Sequence, residues 1–353
     1  SFEGEGDAGA FVQHVSVRGL TVMHANWNVP ANGYCVPQSD VSGQGTQGAS
    51  PFPVAIRMRW ARNCRIEQCT VAHTGYYAVE FGQGTCESGV FDSEMWDLGA
   101  GGVMMGTTNR YAMDDPRTAR ANAVEECLVA HGGRMHPAAC GVWIGHSPDN
   151  RVLHNDLHDF YYTAGSAGWS WSYGASPAKR NQISYNHMWD IGQGRLSDLG
   201  GIYTLGASEG TVLSYNRIHD ISRVHYGGSG IYFDQGSSGI TVENNVVYDT
   251  QDATFTVHWA KDNVIRNNIF AFAENYQIGI GREDKSGALT FERNIVYWQD
   301  SKATSGRKCR DDWTFRNNIY WAVEEPAAGF ESKMSFEEWQ AEGRDAESRI
   351  VDP

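Results

Sequence analysis

Short runs of alternating apolar and polar residues recur along the chain at intervals of about 25 residues. Alternation with a period of two predicts β-strands rather than helices. Seven of these runs carry an asparagine at one fixed position, with spacings of 31, 30, 29, 23, 26 and 24 residues. The seven are Asn155, Asn186, Asn216, Asn245, Asn268, Asn294 and Asn318. Cys69, Ser93 and Cys127 occupy the same position in upstream runs.

A second short strand follows most of these runs, as at 201–206 and 230–236. Units of this length, made of short strands without helical periodicity, predict an all-β, right-handed parallel β-helix, a solenoid with inserted loops. The repeated asparagines then stack at one turn, where each amide bonds its neighbour one coil away, at the strand spacing of about 4.8 Å. The Leu-x-x-Leu-x-Leu pattern of leucine-rich repeats is absent.

The two ends of the chain depart from the repeat. Residues 1–60 contain a first strand pair and a Gly- and Pro-rich loop, and we assign them to the same domain as the coils of 61–330. The segment 331–353 contains a short helical pattern at 334–343, with Ser335 as its N-cap and two Glu in the first turn. We expect this helix to cover one end of the stack, because open ends expose apolar core.

Composition and charge narrow the function. The 353 residues have a formal net charge of −14, which argues against nucleic acid as a partner. Apolar runs are too short to insert into a membrane. Gly-rich turns with 12 Trp and 16 Tyr predict an aromatic surface suited to carbohydrate. The seven cysteines form no disulfide framework and have no metal-ligand spacing, although one disulfide fits their number. We predict that the protein needs no cofactor and no metal, and nothing in the sequence indicates a structural Ca²⁺.

Some acidic residues belong to the repeat and others interrupt it. An Asp follows an aromatic residue or His in five units, at Asp97, Asp159, Asp190, Asp220 and Asp249, which predicts a turn or ladder feature. Longer loops, at roughly 131–140, 160–168, 191–200 and 221–229, belong to neighbouring coils in the middle of the stack. We expect these loops to form the walls of a groove.

Asp198 and Asp234 stand outside the repeat. Asp234 replaces the Leu205 of the preceding coil, and Asp198 lies in an inserted loop just before a strand. Stacking should put them on adjacent rungs, where two carboxylates can cleave a glycosidic bond as acid and as nucleophile or base. The alternatives are a turn residue for Asp198 and a strand-end surface residue for Asp234.

Aromatic and histidine side chains near this pair are candidate substrate ligands. Alternation along the second strands turns several aromatic rings away from the core. The candidates that bind sugar are Trp143, Trp169, Trp171, Tyr203, His225, Tyr232 and His258. Each of them could equally be an ordinary packed or surface residue.

The runs LSDLGGIYTLG (196–206) and YGGSGIYFDQGSSGITVENNVVYD (226–249), with the tail FEEWQAEGRDAESRIVDP (336–353), resemble glycoside hydrolase family 141. The resemblance implies α-L-fucosidase or xylanase activity on complex glycans, in a secreted or periplasmic bacterial enzyme. It places the catalytic pair at Asp198 and Asp234. It also implies that relatives have further polypeptide flanking this part of the chain.

Two other functions remain open. A polysaccharide lyase needs a basic residue and a cationic environment, and Lys261, Arg282 and His258 lie near one another in the repeat without forming an obvious cluster. A non-catalytic glycan-binding β-helix would use the aromatic residues alone. We expect an α-L-fucosidase-like glycosidase, with a xylan-acting hydrolase as the nearest alternative.

Overall fold

The computed structural model describes residues 1–6, 9–27, 38, 54–281, 287–305, 309, 311–323, 328–331 and 334–352. Its strands wind into a right-handed parallel β-helix in which each coil contributes one strand to each of three parallel sheets. The fold predicted from the repeat is therefore confirmed. Arg282 and Cys35 lie outside the described residues.

Within the described residues, the first sheet has 11 strands. They are Phe2–Glu3, Ile56–Arg59, Val79–Phe81, Val103–Met105, Val142–Ile144, Gly165–Ala167, Gly200–Thr204, Ser229–Phe233, Ala253–Val257, Tyr276–Ile280 and Lys302–Thr304. The second sheet precedes the asparagine turn in each coil. Its strands are Ser16–Arg18, Arg65–Glu67, Gly89–Phe91, Ala123–Glu125, Arg151–Leu153, Gln182–Ser184, Ala207–Ser214, Ser238–Glu243, Asn263–Arg266, Leu289–Glu292 and Trp313–Arg316.

The third sheet follows the asparagine turn. Its strands are Thr21–Met23, Thr70–Thr74, Glu94–Leu98, Leu128–Ala130, Asp156–Phe160, His187–Ile191, Arg217–Ile221, Val246–Thr250, Ile269–Ala271, Ile295–Trp298, Ile319–Ala322 and Arg349–Ile350. Two small strand pairs complete the described strands. They are Val12–Gln13 with Ala61–Arg62, and Ala328–Phe330 with Met334–Ser335.

The asparagines form the predicted ladder. The Asn216 amide donates to the Asn245 side-chain oxygen at 3.0 Å, and the Asn186 amide donates to that of Asn216 at 3.0 Å. The ladder runs from Asn155 to Asn318, with amide-to-oxygen distances of 2.9 to 3.3 Å. The residue before each of these seven asparagines has a positive φ of 54° to 60°, which turns the chain from the second sheet into the third.

The recurring aspartates lie inside strands of the third sheet, each one residue before the end of its strand. Asp97, Asp159, Asp190, Asp220 and Asp249 have φ between 50° and 56°. Asp tolerates this left-handed conformation better than most residues because its short side chain bonds locally. Their recurrence therefore reflects a shared backbone conformation near the ends of these strands.

The C-terminal helix is also confirmed. It spans Phe336–Ala341, and Ser335 caps it in a reciprocal hydrogen-bonding pattern with Glu338. Phe336 and Trp339 are buried, with Trp339 packed edge-on against Phe315 in a strand of the second sheet, at a ring-centroid distance of 5.2 Å. The helix thus covers apolar core near the C-terminal end of the stack.

One predicted loop is wrong. The segment 160–168 contains the strand Gly165–Ala167, which continues the first sheet. Its sequence, GSA, is too small and too short to show strand alternation. The long insertion of that coil instead follows the strand, at 168–181, before the strand that begins at Gln182.

Candidate active site

A cleft of about 820 Å³ lies on the outer face of the first sheet. We call the four strands beneath it the floor strands: Gly200–Thr204, Ser229–Phe233, Ala253–Val257 and Tyr276–Ile280. The lining residues are Gln38, Trp171, Asp198, Tyr203, Tyr226, Gly227, Tyr232, Asp234, Gln235, Asp252, Thr256, His258 and Gly281. Both candidate carboxylates therefore face the same space.

The strand register sets the positions of the two aspartates. The first two floor strands pair in parallel, with Tyr203 opposite Tyr232. Asp198 lies two residues before the first floor strand, whereas Asp234 directly follows the second. The carboxylates therefore come from adjacent coils and from opposite ends of their strands.

Each carboxylate is held by a tyrosine from the other coil. The Tyr232 hydroxyl donates to Asp198 Oδ1 at 3.0 Å, and the Tyr203 hydroxyl donates to Asp234 Oδ2. The two tyrosine rings pack edge to face, with their centroids 5.2 Å apart. Burial raises the pKa of both phenols, and the aspartate charges raise it further, so the hydroxyls keep their protons and act as donors.

The surroundings of the two aspartates differ. Burial, reinforced by the negative charge of Asp234, raises the pKa of Asp198 above its usual range. The Tyr232 hydrogen bond and His258 oppose this rise. Asp234 is 8% exposed and has the His258 Nε2 atom 3.9 Å from its Oδ1. The arrangement favours a proton on Asp198, whereas the carboxylate of Asp234 accepts the Tyr203 hydroxyl proton in a hydrogen bond.

Two inserted segments form the walls of the cleft. On one side, the loop 222–228 carries Tyr226, whose carbonyl accepts the Asp198 backbone N–H at 2.8 Å. Asp198 has a φ of 61°, and a Cβ on Gly227 would come within 2.8 Å of the Asp198 nitrogen. Glycine at 227 therefore lets the loop approach closely enough to fix Asp198.

The opposite wall is the segment 168–174, which crosses the ends of successive floor strands. A Cβ on Gly236 would lie 2.3 Å from the Ser172 carbonyl oxygen, so the segment passes directly over that turn. The Tyr173 hydroxyl donates to the Trp259 carbonyl at 2.8 Å, and Lys261 lies over the Tyr173 ring at 4.6 Å. This segment holds Trp171, 46% exposed, against the cleft.

The structure brings some of the predicted sugar ligands to the cleft but not all of them. Trp171, Tyr203, Tyr232 and His258 line it. Trp143 and Trp169 are buried, and neither of them lines the cleft. His225 is exposed on the loop 222–228, outside the cleft lining. These three placements correct the sequence-based expectation.

Seven of the 13 lining residues were not among the predicted site residues, and four of them have long or charged side chains. Tyr226 is 57% exposed on a predicted wall loop, and the Gly227-Gly228 pair beside it was the available signal. Asp252 is held by Asn275, whose amide donates to its Oδ1 at 2.8 Å. Gln235 and Gln38 carried no sequence signal, since neither belongs to a repeat position with a recognisable function.

Three further features bear on function: metal ligands, cysteines and membrane-spanning helices. No group of three or more His, Cys, Asp or Glu side chains in the described part of the chain is arranged to hold a metal ion. The six cysteines that the structure describes are buried, and Cys64, Cys69, Cys86 and Cys127 among them are free thiols. No helix among the described residues has the length and apolarity to cross a membrane.

The sequence matches a protein family that has this fold. Residues 52–319 match the model of the right-handed β-helix region. The chain belongs to the right-handed β-helix family. A search of curated proteins finds no match to this β-helix chain.

Solved structures of other β-helix proteins share the architecture. One described as a glycoside hydrolase superposes with a TM-score of 0.67 at 20% identity, covering 76% of this chain and 49% of its own. A GH136 lacto-N-biosidase from Eubacterium ramulus gives 0.57 at 11% identity, with 79% and 53% coverage. A mutant tailspike protein of E. coli bacteriophage HK620 in complex with a pentasaccharide gives 0.54 at 11% identity, with 76% and 49% coverage. The β-helix chain thus spans about half the length of these structures.

Proposed function

We propose that this β-helix protein is a glycoside hydrolase that uses Asp198 and Asp234 as its catalytic pair. The observation that carries the proposal is the pairing of two carboxylates on adjacent coils inside one aromatic-walled cleft, each bonded by a tyrosine of the other coil. Glycoside hydrolysis uses two carboxyl groups of unlike proton affinity that flank the reacting bond. The hydrolase and lacto-N-biosidase among the solved β-helix structures are consistent with this function.

The chemistry follows from the two environments. Asp198 donates its proton to the glycosidic oxygen, and the bond from that oxygen to the anomeric carbon breaks with its electron pair going to the oxygen. Asp234 either attacks the anomeric carbon in a retaining reaction or takes a proton from the attacking water in an inverting one. The Tyr203 hydroxyl donates a hydrogen bond to Asp234, and His258 lies 3.9 Å from the same carboxylate. No step in this scheme requires a cofactor.

The cleft supports hydrolysis better than the lyase alternative. Among its described lining residues there are three aspartates and no Lys or Arg, which is a poor environment for a uronate. Lys261, a candidate base, packs over Tyr173 instead. His258 lies in the cleft, but it faces Asp234.

The finer specificity rests on the resemblance to glycoside hydrolase family 141. We propose α-L-fucoside as the first substrate class to test, with a xylan-acting hydrolase as the second. An enzyme of this class meets its polymeric substrate outside the cytoplasm, so we place it as secreted or periplasmic. Trp171 and His258 would contact the sugar, whereas Tyr203 and Tyr232, only 1% and 6% exposed, would hold the two carboxylates in position.

A chromogenic aryl-glycoside screen tests the proposal. Wild type, Asp198→Asn and Asp234→Asn are assayed on p-nitrophenyl α-L-fucoside, β-D-xyloside and α-D-galactoside. We expect release from one glycoside, and a fall in kcat of at least about 10²-fold in both variants, because each loses a proton-transfer or nucleophilic group. Proton NMR of the first-formed product anomer then distinguishes the retaining from the inverting route.

Asp249→Asn is the matched control. Asp249 is an exposed aspartate with a φ of 50°, a conformation that Asn also adopts, and it lies in a strand of the third sheet, away from the cleft. It should keep full activity. Full activity in Asp234→Asn, or loss of folding as the only cause of inactivity, would contradict the catalytic assignment.

A further inference from the structure

The cleft is asymmetric along the axis of the β-helix. Tyr203, Tyr232, Thr256 and Gly279 occupy one row across the four floor strands, on the face that looks into the cleft. The same row continues toward the N-terminus as Ser166 and Trp143. Ser166 is 2% exposed and Trp143 is 1% exposed, and neither lines the cleft. The lining of the cleft thus ends at Tyr203 on this side.

Aromatic side chains close that end. The Trp143 and Trp169 rings pack edge to face with centroids 5.4 Å apart, and Trp169 packs on Trp171 at 5.0 Å. The buried Tyr162 ring lies 6.3 Å from Tyr203, and the Gln38 amide donates to the Tyr162 hydroxyl at 3.4 Å. Two of the tryptophans expected from sequence to bind sugar therefore form a barrier at one end of the cleft.

Toward the C-terminus, the side chains of the floor become smaller. Thr256 follows the two tyrosines, and Gly279 has no side chain at the next rung. The cleft lining continues past the carboxylates through Asp252 and His258 to Gly281. From the first floor strand to the fourth, the cleft therefore extends about 14 Å along the axis.

Both carboxylates lie at the closed end, since Asp198 adjoins the first floor strand and Asp234 the second. Positive charge develops on the sugar whose anomeric bond breaks, so the most enclosed and most electronegative part of the cleft suits that sugar. The leaving group needs only one proton donor. It can occupy the less bulky floor over Thr256 and Gly279.

We infer that the protein is an end-acting glycosidase, which holds the non-reducing terminal sugar of a glycan against the closed end and lets the rest of the chain leave toward the C-terminal coils. This inference rests on the proposed glycosidase function. An internal sugar of a long chain cannot be seated at the carboxylates, because its neighbour on the non-reducing side would have to occupy the volume of Trp143 and Trp169.

Product analysis tests the inference separately from the function itself. Borohydride-reduced arabinoxylan and xyloglucan are used beside the p-nitrophenyl monoglycosides. We expect release of one small sugar from a polymer, a slow fall in viscosity, and chromophore release from the monoglycoside of the same sugar. A rapid loss of viscosity with a series of internal fragments would leave the hydrolase function intact and overturn the end-acting inference. Absence of cleavage in every probe would contradict the proposed function as well.

A paired substitution tests the direction in which the chain leaves. Thr256→Tyr places a ring on the floor that the polymer must cross but that a small aryl leaving group need not cross. The ratio of kcat/KM on the polymer to kcat/KM on the monoglycoside should fall about tenfold. Met104→Tyr is the control, because Met104 lies in the same row three strands before the first floor strand. An equal fall on both substrates in Thr256→Tyr would contradict the proposed direction.

Discussion

The asparagine ladder and the floor of the cleft are built by the same stacking and differ in what is stacked. Each coil adds one side chain to either row. At the turn, that side chain is asparagine in seven successive coils, and each amide bonds the next. In the row of the first sheet that includes the floor, the side chain changes at almost every rung. The row runs from Trp143 through Ser166 and two tyrosines to Thr256 and Gly279.

This contrast separates structural from functional positions. A residue that repeats with the coil can be explained by bonds to its own copies above and below it. A residue that interrupts the repeat, such as Asp234 opposite the Leu205 position, has no such partner and must be explained by something outside the ladder. The recurring aspartates also repeat with the coil, but what they share is a positive φ rather than bonds to one another. Asp198 and Asp234 belong to the second kind, although all seven are carboxylates.

The largest expected effect on stability comes from breaking the ladder. In Asn216→Ala, the Ile183 carbonyl loses a donor at 2.9 Å and the Asn186 backbone N–H loses an acceptor at 3.1 Å. Both groups are buried, so the free energy of unfolding should fall by about 3 kcal/mol. Urea denaturation measures this as a lower midpoint with an unchanged slope. Asn109→Ala, outside the ladder, is the control, and a loss below about 1 kcal/mol in Asn216→Ala would contradict the structural role.

The two neighbouring tryptophans should separate stability from binding. Trp169→Ala empties a buried site and should cost about 3 kcal/mol of unfolding free energy. Trp171→Ala removes an exposed ring from the cleft wall, so it should raise KM about tenfold with little change in stability. Thermal or urea unfolding and steady-state kinetics on the same two variants check both effects. Equal destabilisation in the two variants would show that Trp171 supports the fold instead.

The repeat made most of the fold predictable, because identical residues at regular spacing leave few alternative arrangements. The same reasoning found Asp198 and Asp234, since both interrupt that spacing. It could not show that Trp143 and Trp169 are buried. Alternation tells which side chains point away from the core, but not whether an inserted segment covers them. Tyr226 and Gln38 reach the cleft from insertions, where no periodicity constrains the path of the chain.

The smallest expected effect is a shift in a pH profile, and it tests the roles of the two aspartates. Burial and the charge of Asp234 raise the pKa of Asp198, whereas the Tyr232 hydrogen bond lowers it by stabilising the ionised form. Tyr232→Phe removes only that bond, so the pKa of Asp198 should rise further. If Asp198 is the general acid, activity persists until it loses its proton, and the alkaline limb of kcat against pH should move upward by about 0.7 unit for a bond worth about 1 kcal/mol.

The Tyr203→Phe variant provides the comparison for this shift. In the wild type, the Tyr203 hydroxyl bonds Asp234 and not Asp198. Removing it should therefore move the alkaline limb less than removing the Tyr232 hydroxyl does. If Asp198 acted as the base, it would have to be ionised, and Tyr232→Phe would instead move the acid limb upward. An unchanged alkaline limb with a shifted acid limb would therefore exchange the two roles. The crossed tyrosines, one on each carboxylate, thus allow the acid and the base to be assigned by removing a single oxygen atom at a time.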